Sequence, residues 1–154
     1  MISYLGIDPG SSSGCIAIIS FVGGEAIKST IEFSKYTTQE WFKELKEFSA
    51  EFPCTAVLEK VHGMPGMGVQ SVTAFAKNVG HIEMALIALG IPFKEVTPQT
   101  WMKFYAMKKE KDESKTDWKR RLREKLQRLM PDFKATNDTA DAMLIAYYAY
   151  QTDK

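Results

Sequence analysis

The sequence has few of the residues on which several common classes of protein depend. Only two cysteines, Cys15 and Cys54, occur among its 154 residues. Two thiols cannot build a disulfide framework or complete a zinc site, and their places in and beside apolar runs predict buried thiols in a reducing cytoplasm. No apolar run approaches the roughly 20 residues that span a bilayer, and the start lacks the pattern of a signal peptide. These shortages favour a cytoplasmic globular protein.

The net charge is also close to zero, but half of the basic residues lie in one segment of the chain. The chain has 20 basic and 19 acidic residues, for a net charge of +1, and the segment 108–128 holds ten of the basic residues against five acidic ones. Such a concentration in a nearly neutral chain is typical of a phosphate-binding surface. With 154 residues, 45% of them hydrophobic, we expect one domain over residues 1–154.

The order of the periodic segments predicts an α/β fold. Strands are expected at 2–8, 15–21, 25–33, 55–61 and 91–96. Helices are expected from the Thr37–Glu40 capping box to Pro53, at 71–89, from Pro98 through Tyr105, at 117–130 and at 138–150. The charged segment 108–115 lacks apolar periodicity and is predicted to be a mobile loop. Three antiparallel strands and two strands joined by helical crossovers would form a five-stranded mixed sheet flanked by helices.

Acidic residues stand at positions where a core is normally apolar. Asp8 ends the first strand, Glu59 interrupts a buried run, and Asp138 and Asp141 lie three apart at the start of the last predicted helix, on a face that continues into Ile145. Each has an ordinary alternative role: Asp8 as a turn cap, Glu59 as an edge-strand residue and Asp138 as a first-turn acid favoured by the helix dipole. Acids that converge from two strands and one helix would repel each other unless cations lie among them. Magnesium prefers oxygen ligands, and a pair of such ions can activate water and stabilise a leaving alkoxide.

Three ordered motifs resemble those of the RuvC family of Holliday-junction resolvases. LGIDPGSSSG resembles the family's first-strand motif, LEKVHGMPG its glutamate-bearing strand, and NDTADAMLIA its C-terminal D-x-x-D-A helix. The resemblance covers nearly the whole chain, and it gives the catalytic and metal-binding roles to Asp8, Glu59, Asp138 and Asp141. VHGMPGMGVQS and VTPQTW are most similar to the compact RuvC-like proteins of bacteriophages.

Membership of this family implies an RNase H-like fold and a homodimer with two active sites. Such a dimer cuts four-way junctions by paired symmetric nicks that leave 5′-phosphate and 3′-hydroxyl ends. Each site would hold two Mg²⁺ ions, for which Mn²⁺ is a possible substitute. The helix at 71–89 would pack against its dimer mate. Most of its apolar positions are expected to belong to the core, but their coverage of the helix is wide enough to serve both; they are Val72, Phe75, Ala76, Val79, Ile82, Ala85 and Leu86.

The expected DNA contacts come from basic residues and from one loop. Lys103 and Lys115 correspond to the two family lysines, the first displaced by one residue because Met102 stands near the family position. Basic residues of the helix at 117–130 are expected to hold a duplex arm, with a solvated face as the alternative; they are Lys119, Arg120 and Arg123. In the glycine-rich loop 62–68, His62 stands where the best-known members place a wedging aromatic residue, and Met64 and Met67 are candidates for a wedge or for loop packing. His81 and the three tryptophans are predicted to be structural.

Other functions are compatible with parts of this pattern. A G-I-D-x-G motif also opens the actin-like and sugar-kinase ATPases, but these enzymes need two such domains, which 154 residues cannot provide. A ribonuclease H, or a relaxed nuclease that debranches flaps, forks and junctions, would have the same fold. A non-catalytic junction-binding protein would recognise the same DNA, but the presence of all four acids favours an enzyme.

Overall fold

The computed structural model describes residues 1–62 and 65–153, and its centre is one five-stranded sheet. The strands are β1 (Ser3–Asp8), β2 (Cys15–Val22), β3 (Glu25–Glu32), β4 (Cys54–Glu59) and β5 (Phe93–Val96). Their order in the sheet is β3-β2-β1-β4-β5. β1, β2 and β3 form an antiparallel meander, whereas β4 pairs in parallel with both β1 and β5. The predicted α/β fold with a five-stranded mixed sheet is confirmed.

Five α-helices connect and cover the strands: α1 (Thr38–Glu51), α2 (Val69–Ala88), α3 (Pro98–Phe104), α4 (Lys115–Leu129) and α5 (Ala140–Thr152). The Thr37–Glu40 capping box is confirmed at the start of α1, and Pro98 is the first residue of α3. Gly90 has a φ of 65° just after α2, the left-handed conformation in which glycine commonly ends a helix. None of the helices in the described ranges is long and apolar enough to cross a membrane.

Three helices begin at residues other than those predicted. α2 begins at Val69 rather than 71, with Gly68 as its N-cap. α4 begins at Lys115 rather than 117, because the Ser114 hydroxyl accepts a hydrogen bond from the backbone N–H of Asp117 and caps the helix earlier. α5 begins at Ala140 rather than 138, because Thr136 and Thr139 exchange side-chain and backbone hydrogen bonds that hold a turn before it. Asp138 lies in that turn. The prediction that Asp138 shares a helical face with Asp141 is therefore wrong.

The sheet has a hydrophobic core on each face. One core packs β-strand residues such as Leu5, Ile7 and Leu58 against α1 and α2. The other packs Ala17, Val57 and their neighbours against α3, α4 and α5. Because successive side chains of a strand point to opposite faces, residues 6 and 8 of β1 and residues 57 and 59 of β4 face α5. Cys15 is buried as predicted, whereas Cys54 is only half-buried because it begins β4.

The close approach of α5 to β1 depends on Gly6. A Cβ atom at this position would lie 2.1 Å from the backbone nitrogen of Ala146 and 2.2 Å from the carbonyl oxygen of Ala142. We expect Gly6→Ala to lower the free energy of unfolding by about 3 kcal/mol or more, because two backbone segments would have to separate. Urea denaturation measures this loss. Gly68→Ala at the N-cap of α2, where a Cβ would meet no heavy atom within 4 Å and φ is −63°, is the matched control, and equal stability of the two variants would contradict this packing.

Candidate active site

Asp8 and Glu59 lie at the carboxyl ends of two adjacent parallel strands. β1 and β4 remain in register as far as Ile7 opposite Leu58, and each acid follows this pair by one residue. Both acids are on the sheet face that α5 covers. Glu59 is 8% exposed, and Asp8 is half-buried. The strands therefore bring two carboxyl groups together in a largely desolvated place.

The turn after Asp8 is held by contacts to the backbone. The N–H of Gly10 donates to Oδ1 of Asp8 at 3.1 Å. The Nδ2 of Asn78, a buried residue of α2, donates to the carbonyl oxygen of Pro9 at 2.9 Å. Gly14 closes the turn with a backbone hydrogen bond to Gly10. The Asp8 side chain thus stands on a segment whose conformation is fixed from two sides.

α5 brings a third acid to the same place. Asp141 lies in the first turn of α5 and is 8% exposed, and its Oδ2 is 2.6 Å from Nζ of Lys119 on α4. Asp138 is half-buried in the turn before the helix, and its charge acts on Asp8. We call Asp8, Glu59 and Asp141 the acidic cluster. The four acids predicted from the sequence are therefore in one region, with Asp138 at its edge.

Burial and mutual repulsion raise the pKa values of two carboxyl groups of the acidic cluster, Asp8 and Glu59. Desolvation, and next to it the negative charge of Asp141, raise the pKa of Asp8 to about 6. Desolvation, followed by the charge of Asp8, raises the pKa of Glu59 to about 8, although a hydrogen bond from Trp101 acts in the opposite direction. Carboxyl groups perturbed in this way are common at functional sites, where a bound cation restores the charged form.

Lys119 is the positive charge that acts on both Asp8 and Glu59. Its own burial tends to lower its pKa, but the charges of Asp141, Asp8 and Glu59 outweigh this effect and raise the pKa. One ammonium group therefore faces three carboxyl groups. The remaining negative charge would attract a divalent cation.

The acidic cluster fits a divalent metal ion in its donor atoms and its charge. Oδ1 of Asp141 is buried and has no hydrogen-bond partner among the described residues, an arrangement that is costly unless a ligand satisfies the atom. Carboxylate oxygens are the donors that magnesium prefers. In the described part of the chain, no three Asp, Glu, His or Cys side chains are already arranged to hold one ion. The cluster thus has suitable donors, with Lys119 in contact with one of them.

Replacing Lys119 should expose the repulsion within the acidic cluster. We expect Lys119→Gln to lower the free energy of unfolding by about 1–3 kcal/mol at neutral pH with a chelator present, because Asp141 loses its counter-charge. The control is Arg120→Gln on the same helix, whose pairs with Asp117 and Glu124 are exposed and are worth less than about 1 kcal/mol. Thermal denaturation measures both losses, and similar small losses would show that Lys119 does not stabilise the cluster.

The predicted DNA-binding residues of α4 differ in their surroundings. Lys115, Lys119 and Arg123 are spaced by four residues and share one helix face. Lys119 contacts Asp141, and Arg123 donates to Oδ1 of Asn137, next to Asp138. This face, which we call the basic row, therefore runs beside the acids. Arg120 points elsewhere and pairs with two acids of its own helix.

The other predicted contacts lie at separate places. Lys103 is exposed near the end of α3, and His62 is exposed three residues after Glu59. Met64 lies outside the described residues. No contact in the structure tests whether these residues bind DNA, so all of these roles stay predictions.

Sequence reasoning missed the polar role of Trp101, which it predicted only to be a structural residue of the core or of a helix face. The indole is fully buried, and its Nε1–H donates to Oε2 of Glu59 at 2.6 Å. No sequence pattern places Trp101 next to Glu59, because the contact depends on the pairing of β5 with β4. Sequence reasoning also missed Asn78, which no sequence pattern connects with the turn after Asp8.

Comparisons with known proteins establish the fold. Neither a protein-family model nor a curated protein matches the sequence. Among solved structures, Thermus thermophilus RuvC in complex with a Holliday junction substrate matches with a TM-score of 0.66 and 16% identity, over 97% of this chain and 96% of that chain. The Holliday junction resolvase of Fowlpox virus matches with a TM-score of 0.57 and 11% identity, over 99% of each chain. The resemblance to RuvC that the motifs predicted is thus confirmed for the fold, and this chain has the RNase H-like fold of RuvC and of the poxvirus resolvase.

Proposed function

We propose that the protein is a metal-dependent endonuclease that cuts four-way DNA junctions. The observation that carries the proposal is the buried acidic cluster at the ends of β1 and β4, beneath the start of α5. The cluster has three carboxyl groups against one ammonium group, and one oxygen of Asp141 has no hydrogen-bond partner among the described residues. Two proteins with the same fold are Holliday junction resolvases, which identifies the junction as the first substrate to test.

The acids and the scaffold have separate tasks in this proposal. Asp8, Glu59 and Asp141, with Asp138 at the edge, would hold Mg²⁺, or Mn²⁺ in its place. Bound Mg²⁺ would supply the charge that lowers the pKa of water and offsets the negative charge on the departing 3′ oxygen. The strands and the Gly10 contact orient the carboxylates, and their burial limits access of bulk water. In-line attack that breaks the bond between phosphorus and the 3′ oxygen leaves a 5′-phosphate and a 3′-hydroxyl.

The basic row provides the complementary surface for DNA. Lys115 and Arg123 flank Lys119 on the face of α4 that meets the acids, so a phosphate backbone bound along this row would pass the acidic cluster. Contacts to phosphates orient a nuclease without reading sequence. Lys103 and His62 would then contact strands near the branch point.

A second copy of the chain would pack against α2. The exposed face of this helix carries Val69, Met84 and Ile87, which are 83%, 59% and 62% exposed, with Gly80 also exposed between them. Apolar side chains repeated along one helix face are typical of a helix–helix contact. A dimer formed there would have two active sites, one in each protomer, as paired nicks require.

The dimer interface can be tested by placing a charge on this face. We expect Met84→Glu to convert the dimer into a monomer, because a glutamate in an apolar contact loses its hydration without gaining a partner. Analytical ultracentrifugation measures the mass. Ile27→Glu on the edge strand β3, where the residue is 53% exposed, is the control and should leave the dimer intact. A wild-type monomer, or a Met84→Glu dimer, would contradict the α2 interface.

A panel of labelled substrates tests the proposed specificity. Wild-type protein with Mg²⁺ is incubated with an immobile four-way junction, a flap, a replication fork and a linear duplex of matched sequence. We expect symmetric nicks on the junction, joined by ligase after cleavage because the ends are 5′-phosphate and 3′-hydroxyl. Equal cutting of flaps, forks and junctions would identify a general debranching nuclease, and junction binding without cleavage would identify a non-catalytic binder.

A further inference from the structure

Trp101 makes a contact that packing alone does not require. Its Nε1–H donates to Oε2 of Glu59 at 2.6 Å, and both residues are buried, at 0% and 8% exposed. An indole N–H can only donate a hydrogen bond and a carboxylate can only accept one, so Trp101 is the donor and Glu59 the acceptor. Because the acceptor carries charge when Glu59 is ionised, the bond favours the carboxylate in one fixed orientation.

The backbone places Trp101 beside Glu59. Glu59 ends β4 opposite Val96, the last residue of β5, and the backbone N–H of Lys60 donates to the carbonyl oxygen of Val96 at 2.7 Å. α3 starts two residues after Val96, with Thr97 as its N-cap and Pro98 as its first residue. The first turn of α3 therefore emerges next to the carboxyl end of β4, where the fourth residue reaches Glu59.

The indole itself is held firmly. Trp101 belongs to the core that also contains α5, and its ring meets the ring of Tyr105 edge to face at 6.3 Å between centroids. A donor fixed by packing restrains its acceptor more than a mobile surface donor does. The bond occupies one oxygen of Glu59 and leaves Oε1 with no hydrogen bond to a described residue.

We propose that Trp101 is a positioning residue that holds the Glu59 carboxylate in the orientation needed to bind the divalent ion. The inference rests on the proposed function, because it gives Glu59 the role of a metal ligand. Hydrogen-bond partners of metal-binding side chains fix ligand orientation, and their loss commonly weakens metal binding by about 10- to 100-fold. Trp101 contacts neither the metal nor the DNA in this role.

The test removes the indole N–H while the shape of the side chain is kept. Trp101→Phe keeps an aromatic ring, and replacement of Trp101 by benzothienylalanine keeps the full ring shape with sulfur in place of N–H. Trp41→Phe is the control, because Trp41 is equally buried at 2% exposed but lies in the core on the opposite face of the sheet. The probe is Mn²⁺ alone, whose free concentration is followed by electron paramagnetic resonance without DNA. The Mg²⁺ dependence of junction cleavage is measured in parallel.

We expect both position-101 variants to need about 10-fold more Mn²⁺ for half-saturation. Cleavage should recover at saturating Mg²⁺, with an unchanged KM for the junction, while Trp41→Phe behaves as wild type. If the benzothienylalanine protein binds Mn²⁺ as wild type does, Trp101 is only a core residue and the inference fails while the nuclease proposal stands. If wild-type protein binds no Mn²⁺ and cuts no junction, both fail.

Discussion

Asp8→Asn is expected to reduce junction cleavage by about 10³-fold or more while junction binding is retained. The side chain keeps its size and still accepts the hydrogen bond from the N–H of Gly10, so the turn should survive. The loss concerns charge: a neutral amide binds a divalent ion weakly, and the stabilisation that such an ion gives the transition state is several kcal/mol. About 4 kcal/mol corresponds to about 10³-fold in rate.

Single-turnover cleavage of a labelled junction measures the rate, and gel-shift titration measures binding. The control is Asp112→Asn. Asp112 is an exposed residue of the charged segment before α4, so its substitution removes the same charge from the chain away from the acidic cluster. This variant should cut at the wild-type rate. Binding should be equal or tighter for Asp8→Asn, because one negative charge beside the DNA backbone is removed. A cleavage rate within a few-fold of wild type would exclude Asp8 from the active site.

Without metal, the protein should lose stability as the pH rises from about 4 to 8. The pKa of Asp8 is raised from 3.8 to about 6, and that of Glu59 from 4.5 to about 8. The folded state therefore binds more protons than the unfolded state between each pair of values, so the free energy of unfolding falls with rising pH. The raised pKa of Lys119 adds stability that is lost only above its ordinary value of 10.5, outside this window.

The fall is expected to be on the order of 5 kcal/mol or more in a chelating buffer. Magnesium should oppose it most at pH 8, because it binds the ionised acids of the folded state only. Urea denaturation at a series of pH values, with a chelator or with Mg²⁺, measures both effects. Glu59→Gln, which still accepts a hydrogen bond from Trp101, should have a much smaller slope. A flat profile in the chelator, or one that Mg²⁺ does not change, would contradict the proposed balance of charges.

The fold was predictable where local signals agree with the tertiary structure. The apolar runs of β1 and β2, the Thr37–Glu40 capping box and Pro98 each indicate an element through short-range chemistry. The starts of α4 and α5 were not predictable from periodicity, because capping by Ser114 and the Thr136–Thr139 turn decide them. The charged segment before α4 also gains an ion pair between Glu113 and Arg121, a contact that no apolar pattern indicates.

The candidate site was predictable in its acids and less so in what surrounds them. Acids inside apolar strands stand out in a sequence, and the structure brings Asp8, Glu59 and Asp141 together. Lys119 was expected to face DNA as part of a basic helix, but it contacts Asp141, because its helix face meets the start of α5. The hydrogen bond from Trp101 depends on α3 lying beside β4, and this tertiary relation has no local sequence signal.

The proposed function is tested most directly by cleavage of an immobile four-way junction by wild-type protein, with Mg²⁺ and with a chelator, next to a linear duplex of the same sequence. We expect paired nicks at symmetric positions on the junction, only when Mg²⁺ is present, and an intact duplex. Cleavage that persists in the chelator, or an uncut junction with both Mg²⁺ and Mn²⁺, would contradict the claim that the acidic cluster is the active site of a metal-dependent nuclease.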